Sequence, residues 1–124
     1  MEVLSFGGLS NWLAQNLTAN AISSLIAPDY ANATVLTSTL TPSNPYTVQQ
    51  VGWIFIRTGT RPWNVAYYYY INGFPICYSH TNSGGDGYTN TQVLALVTIG
   101  DIVTCTNRGN SENPYVAFIP FKNL

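Results

Sequence analysis

The sequence predicts an all-β fold, an antiparallel β-sandwich of jelly-roll type with a short N-terminal helical or irregular arm. Three observations carry this. From Tyr30 onward, apolar and β-branched runs recur every ~8–12 residues with turn chemistry between them, giving seven or eight short strands. No stretch after residue 27 keeps a helical period long enough for βαβ units. Asn72-Gly73, between two apolar runs, is a strong short hairpin signal, because both residues tolerate positive φ.

The elements follow in order. Leu9, Leu13, Leu17, Ala21 and Leu25 recur every four residues, with Trp12, Ile22 and Ile26 on the adjoining flank. That spacing predicts a helix. Ser10 is placed to cap it, and Pro28 stops it because the residue before proline leaves the helical region. Residues 1–27 are therefore read as an arm, and 28–124 as the β domain. Asn11, Asn16, Thr18, Asn20, Ser23 and Ser24 are poor helix formers, so the stripe needs a packing partner. That partner is either its own β domain or copies of itself around a symmetry axis.

Ala33–Leu40 is rich in β-branched residues, and 42–45 (Pro-Ser-Asn-Pro) is a loop. Tyr46–Val48 opens a short strand, and Val51–Arg57 continues as a strong one. Residues 58–62 read as a loop before a strand at Val65–Ile71, with the hairpin return at Phe74–Ser79. Thr81–Gly87 is a polar, Gly-rich loop. Thr89–Ile99 and Ile102–Thr106 are strands about the Gly100-Asp101 turn; 107–114 is a loop, and Tyr115–Phe121 is the last strand.

Composition narrows the partners. Of 124 residues, 46% are hydrophobic, 14% aromatic and only 7% charged. A soluble domain ordinarily carries about 25% charged residues. Asn, Thr and Ser fill the gap, so the chain stays polar without charge. Such a surface suits contact with other subunits or with neutral sugars. Arg57, Arg61, Arg108 and Lys122 are the four basic residues, too few for the phosphate contacts that drive nucleic-acid binding. No stretch approaches the ~20 apolar residues of a membrane span. Met1–Phe6 has no basic residue before an apolar run, so no export signal is expected.

Candidate chemistry is sparse. His80 is the one histidine, and no strained nucleophile turn accompanies it. The acids are Glu2, Asp29, Asp86, Asp101 and Glu112. A glycosidase would need two of them facing one bond, with Asp86 and Glu112 the loop-borne pair. Asp101 and Asp29 have simpler turn and capping roles. No enzyme activity, cofactor or metal is expected. Cys77 and Cys105 are read as small buried thiols rather than a disulfide or metal ligands.

The recognition candidates lie in loops. Trp63, flanked by Arg61 and Asn64, either plugs the end of the sandwich or stacks on a sugar. His80, Asn82, Asp86 and Tyr88 surround glycines in the loop after the hairpin, where β scaffolds carry recognition. Trp53, in step with Phe55, is expected in the core. Tyr67–Tyr70 is a run of four tyrosines. Neighbours on a strand face opposite sides, so one pair belongs to the core or to cross-strand packing and the other to an interface. Tyr67 and Tyr69, with Leu9, Leu13 and Leu17, are the expected oligomer contacts.

The segment order "APDYANAT", "YTVQQVGWIFIRT", "YYYYINGFPI", "VLALVTIGDIVTC", "YVAFIPFKNL" resembles the C-terminal head domains of phage tail fibres and related virion appendages. In outline it is also similar to complement-type and tumour-necrosis-factor-like jelly rolls. The resemblance covers roughly residues 28–124. It implies a homotrimer, a place in the virion among other virion proteins, and contact with a host-surface receptor or glycan through apical loops. Fibre proteins carry a long shaft before the head, and here about 27 residues precede it, so a short decoration, a tail-tip component or an excised head is expected. A free-standing glycan-binding lectin and a small glycoside hydrolase are the alternatives.

Overall fold

The computed structural model describes residues 19–60, 67–79, 89–106 and 111–122. A helix, α1 (Ala19–Ile26), and a 3-10 turn, Tyr30–Asn32, precede eight strands. These are β1 (Thr34–Val35), β2 (Tyr46–Thr47), β3 (Gly52–Thr60), β4 (Tyr67–Ile71), β5 (Phe74–Ser79), β6 (Thr89–Val97), β7 (Ile102–Thr106) and β8 (Ser111–Pro120). They form two four-stranded antiparallel sheets, in the orders β1-β8-β3-β6 and β2-β7-β4-β5. The chain is an all-β sandwich, as its sequence predicts.

The core lies between the sheets and follows the two-residue period of extended chain. Ile54, Ile56, Val97, Val116 and Phe118 enter it from the first sheet. Val48, Tyr69, Cys77, Val103 and Cys105 enter it from the second side. Leu36 and Leu40 close it from the segment after β1. The β-branched run expected to be extended through Leu40 turns instead at Leu36, where the amide of Leu40 donates to the Leu36 carbonyl at 2.9 Å. One turn of chain sets the two leucines on the same side, and burying both outweighs the local strand preference.

Tyr69 is fully buried in the chain's own core. Its expected place in an oligomer interface is therefore corrected: neighbouring tyrosines do alternate between faces, but Tyr69 stands on the inner one. Trp53 is corrected in the opposite sense. Ile54 and Ile56 take the core positions of β3, so Trp53 and Phe55 are turned to the outer face, half-buried. The expected loop at residues 58–60 is also strand. β6 and β8 flank it on both sides, and the shift in β8 register between Arg57 and Gly59 absorbs the irregularity.

Gly52 is needed at the start of β3. A Cβ there would lie 2.6 Å from the Phe118 ring and 2.6 Å from the Ile119 carbonyl oxygen, so the ring of Phe118 packs over bare backbone. Cys77 and Cys105 are buried thiols with no disulfide between them, and they oppose Tyr69 from its two neighbouring strands. Two strand spacings, about 9.6 Å, exceed disulfide reach. Burial also pushes the Cys77 thiol up to about 11, leaving it protonated and unreactive at neutral pH.

The β4–β5 hairpin turns through Asn72 (φ 52°) and Gly73 (φ 80°), both left-handed as the sequence predicts. Asn72 also ties this hairpin to the β6–β7 turn. Its Nδ2 donates to Asp101 Oδ1 at 2.9 Å, and its Oδ1 accepts from the Ile102 amide at 2.9 Å. Asp101 Oδ2 accepts from the Thr98 amide at 2.8 Å, and the Asp101 carbonyl accepts from the Val48 amide at 2.8 Å. Asp101 thus joins three connections at one end of the sandwich, the carboxylate holding Asn72 and Thr98 and the main-chain carbonyl holding Val48. The Thr98 amide, then Asn72, keep the Asp101 carboxyl below its ordinary range.

Two predictions arise. Replacing Tyr69 by Ala should lower the unfolding free energy by about 3–5 kcal/mol, read as a lower urea midpoint. The Asp101 contribution should be fully present above its unfolded pKa of about 3.9 and be lost as pH falls through the lower folded value. The stability gap between the parent protein and Asp101→Asn should therefore narrow below about pH 4, as followed by thermal melts across pH.

Candidate functional site

β3 and β8 are apolar on both faces, as strands are when something covers each side. Register partners share a face, so the outer face of the first sheet can be read row by row. One row is Val35, Ala117, Phe55 and Leu94; the next is Ile119, Trp53 and Leu96; the third is Tyr115, Arg57 and Gln92. Val35 is 53%, Leu94 40% and Leu96 54% exposed. Phe55 and Tyr115 meet edge-to-face at 6.1 Å, and the Arg57 guanidinium lies 5.5 Å from the Tyr115 ring centroid. A groove of about 300 Å³ runs between the 3-10 turn and the sheet, lined by Tyr30, Ala33, Phe55, Tyr115, Ala117 and Ile119. Arg57 carries the charge of this outer face among its described side chains.

The arm enters at one margin of that face. Trp53 Nε1 donates to the Ile26 carbonyl at 2.6 Å, and the Trp53 ring meets Phe121 at 6.4 Å. The Lys122 amide donates to the Ala27 carbonyl at 2.7 Å, and the Asp29 amide to the Pro120 carbonyl at 2.8 Å. Ile26 is half-buried at this anchor, while Ser23, Ser24 and Leu25 are exposed. Leu25, the last position of the leucine stripe, thus stays outside the β domain's packing. Leu9, Leu13 and Leu17 lie outside the described residues.

The outer face of the second sheet carries Tyr68, Tyr70 and Tyr78. Tyr68 stacks on its register partner Tyr78 at 5.3 Å and on Tyr70 at 6.1 Å, with ring planes within 24°. Thr104 and Thr106 oppose Tyr70 and Tyr68 from β7. The tyrosine run therefore does send one pair outward, and it is Tyr68 with Tyr70. The strand position of Tyr67 is described, whereas its side chain is not.

The expected loop residues Arg61, Trp63, Asn64, His80, Asn82, Asp86 and Tyr88 all lie outside the described residues. The described strands still place the ends from which these loops spring. Thr60 is in register with Thr89 and Ser111, Tyr67 with Ser79, and Tyr68 with Thr106. In each sheet these ends lie opposite the end that Asn72 and Asp101 hold. The segments 61–66, 80–88 and 107–110 thus depart from one end of the sheets. Among the described residues, no three His, Cys, Asp or Glu side chains are grouped to hold a metal ion, and no helix is long and apolar enough to cross a membrane.

Sequence reasoning missed the outer face formed by Phe55, Leu94, Leu96 and Tyr115. The signal was present in the apolar residues at both odd and even positions of "GWIFI" and "YVAFI". Compared with known proteins, the chain matches no family model and no curated sequence.

Trp53→Phe keeps an aromatic side chain but removes the indole N–H that bonds the Ile26 carbonyl. It should cost about 1 kcal/mol, or a few degrees in Tm, measurable by calorimetry.

Proposed function

We propose that this chain is a non-catalytic jelly-roll module that works in a symmetric assembly of its own copies, as the head of a phage tail fibre or a similar virion appendage. The observation that carries the assembly half is the outer face of the first sheet. Val35, Leu94, Leu96 and the neighbouring Tyr30 stand exposed there around half-buried Phe55 and Trp53, and grouped apolar side chains of this kind mark contact surfaces. The low charge of the chain fits the same reading, since few ionic groups need to remain solvated at a contact.

The strand order supports the jelly-roll assignment. In 1-8-3-6 facing 2-7-4-5, the first and last strands are neighbours and, apart from the β4–β5 hairpin, successive strands cross from sheet to sheet, the wiring of two nested Greek keys. The appendage half rests on the segment resemblance over residues 28–124 and on that wiring. Resemblance implies three copies, and loops leaving a single end would suit host contact by that end.

A free-standing lectin is the second reading, and the aromatic groove of Tyr30, Phe55 and Tyr115 favours it. Its rings offer a sugar stacking area with little charge. Asp86, Glu112 and His80, on which a hydrolase would depend, have no described side chain, so no observation favours that alternative.

Light scattering of the purified chain should give the mass of more than one copy. Val35→Lys, at the margin of the face, should weaken association at least tenfold while circular dichroism shows the fold intact. A single copy at high concentration overturns the assembly half. Absence of the chain from purified particles of its source overturns the appendage half, and sugar binding by that single copy would establish the lectin.

A further inference from the structure

We propose that β6 is an assembly edge, pairing antiparallel with β6 of a second copy across a two-fold axis. The inference rests on the self-assembly reading alone, and its two-fold contact needs an even number of copies rather than the three that the resemblance implies.

A sandwich of two open sheets has four edge strands, and exposed edges invite pairing unless something blocks them. Among the described strands the edges are β1, β6, β2 and β5. β1 and β2 are two residues each, too short to template a strand. β5 carries Pro75, and its register with β4 shifts beside that proline. Proline and irregular pairing are both edge guards. β6 differs from all three. It runs nine residues, Thr-Asn-Thr-Gln-Val-Leu-Ala-Leu-Val, with no proline, glycine or charge. Its pairing with β3 is unbroken from Thr89 to Val97, so no bulge twists the edge away.

β6 lies close to β5 of the second sheet along this side, yet burial falls off toward it. Ile54 and Ile56 are fully buried on β3, yet their register partners on β6, Ala95 and Val93, point inward and remain half-exposed. On the outer side Leu94 and Leu96 are exposed. A strand added at this edge would cover both sets at once. Main-chain bonds would join the two sheets into one, the mode of strand addition in which pairing supplies affinity and side chains supply register.

The β6 sequence is complementary to itself in one register. With the axis at Ala95, Ala95 faces its own counterpart, Leu94 faces Leu96 of the partner subunit, and Val93 faces Val97 of the partner subunit. Every apolar residue then meets an apolar one. Moving the axis to Leu94 sets Leu96 against a glutamine, and moving it to Leu96 sets Leu94 against a threonine. A two-fold contact is isologous, so each copy offers the same surface and the pair closes without propagating.

Hydrogen exchange on the assembled parent protein tests the pairing. A free edge leaves alternate amides of β6 in water, whereas a paired edge protects successive amides from Gln92 to Val97. Cysteine cross-linking tests the register. Leu94→Cys and Leu96→Cys chains, made separately and mixed under mild oxidation, should join to each other, and neither should join to itself. Successive protection with cross-linking only on mixing supports the proposal. Fast exchange at alternate amides in an assembled protein overturns it and leaves the self-assembly reading standing, as does a mass of three copies. A single copy overturns both.

Discussion

The placement of Ile54 and Ile56 is the constraint on which the rest depends. β3 is the inner strand between β8 and β6, and these two side chains meet the second sheet. A slip of one residue would exchange them for Trp53 and Phe55 and turn every partner row over. Hydrophobicity alone specifies that register weakly, because both sets are apolar. Shape decides it. Gly52 admits the Phe118 ring where no Cβ could stand. Trp53 reaches the Ile26 carbonyl only from the outer side. Arg57, at the end of the outer set, keeps its charge exposed over Tyr115.

The two ends of the sandwich have different characters. At one end the connections are tight and hydrogen-bonded to one another through Asp101 and Asn72. From the other depart the segments holding Trp63, His80, Asp86 and Arg108.

The faces divide in a similar way. On the second sheet, Tyr68, Tyr70 and Tyr78 stack on one another and cover part of each other's apolar area. On the first sheet, aliphatic side chains stand exposed beside half-buried aromatic ones. That difference links the low charge of the chain to one region of its surface. Exposed apolar side chains are not confined to that face, since Phe74 and Ile102 of the second sheet and Ile99 of the β6–β7 turn are exposed as well.

Much of the fold was legible in the sequence. Period-two patterning and turn residues are local properties, so the all-β class, the Asn72-Gly73 hairpin, the strand from Phe74 to Ser79, the strand from Ile102 to Thr106 and the turn at Gly100 could all be read from neighbouring residues. The burial of Cys77 and Cys105 followed from residue type. The candidate surface was legible only in part. Alternation divides Tyr67–Tyr70 into two sets, but it cannot say which set faces inward, and so Tyr69 was placed outside and Trp53 inside. That choice belongs to the tertiary structure, because the inside of a strand is defined by the opposing sheet, whose residues are far away in sequence. The same holds for the edge position of β6: its composition is written in the chain, but whether a strand stands at an edge depends on which others have already paired.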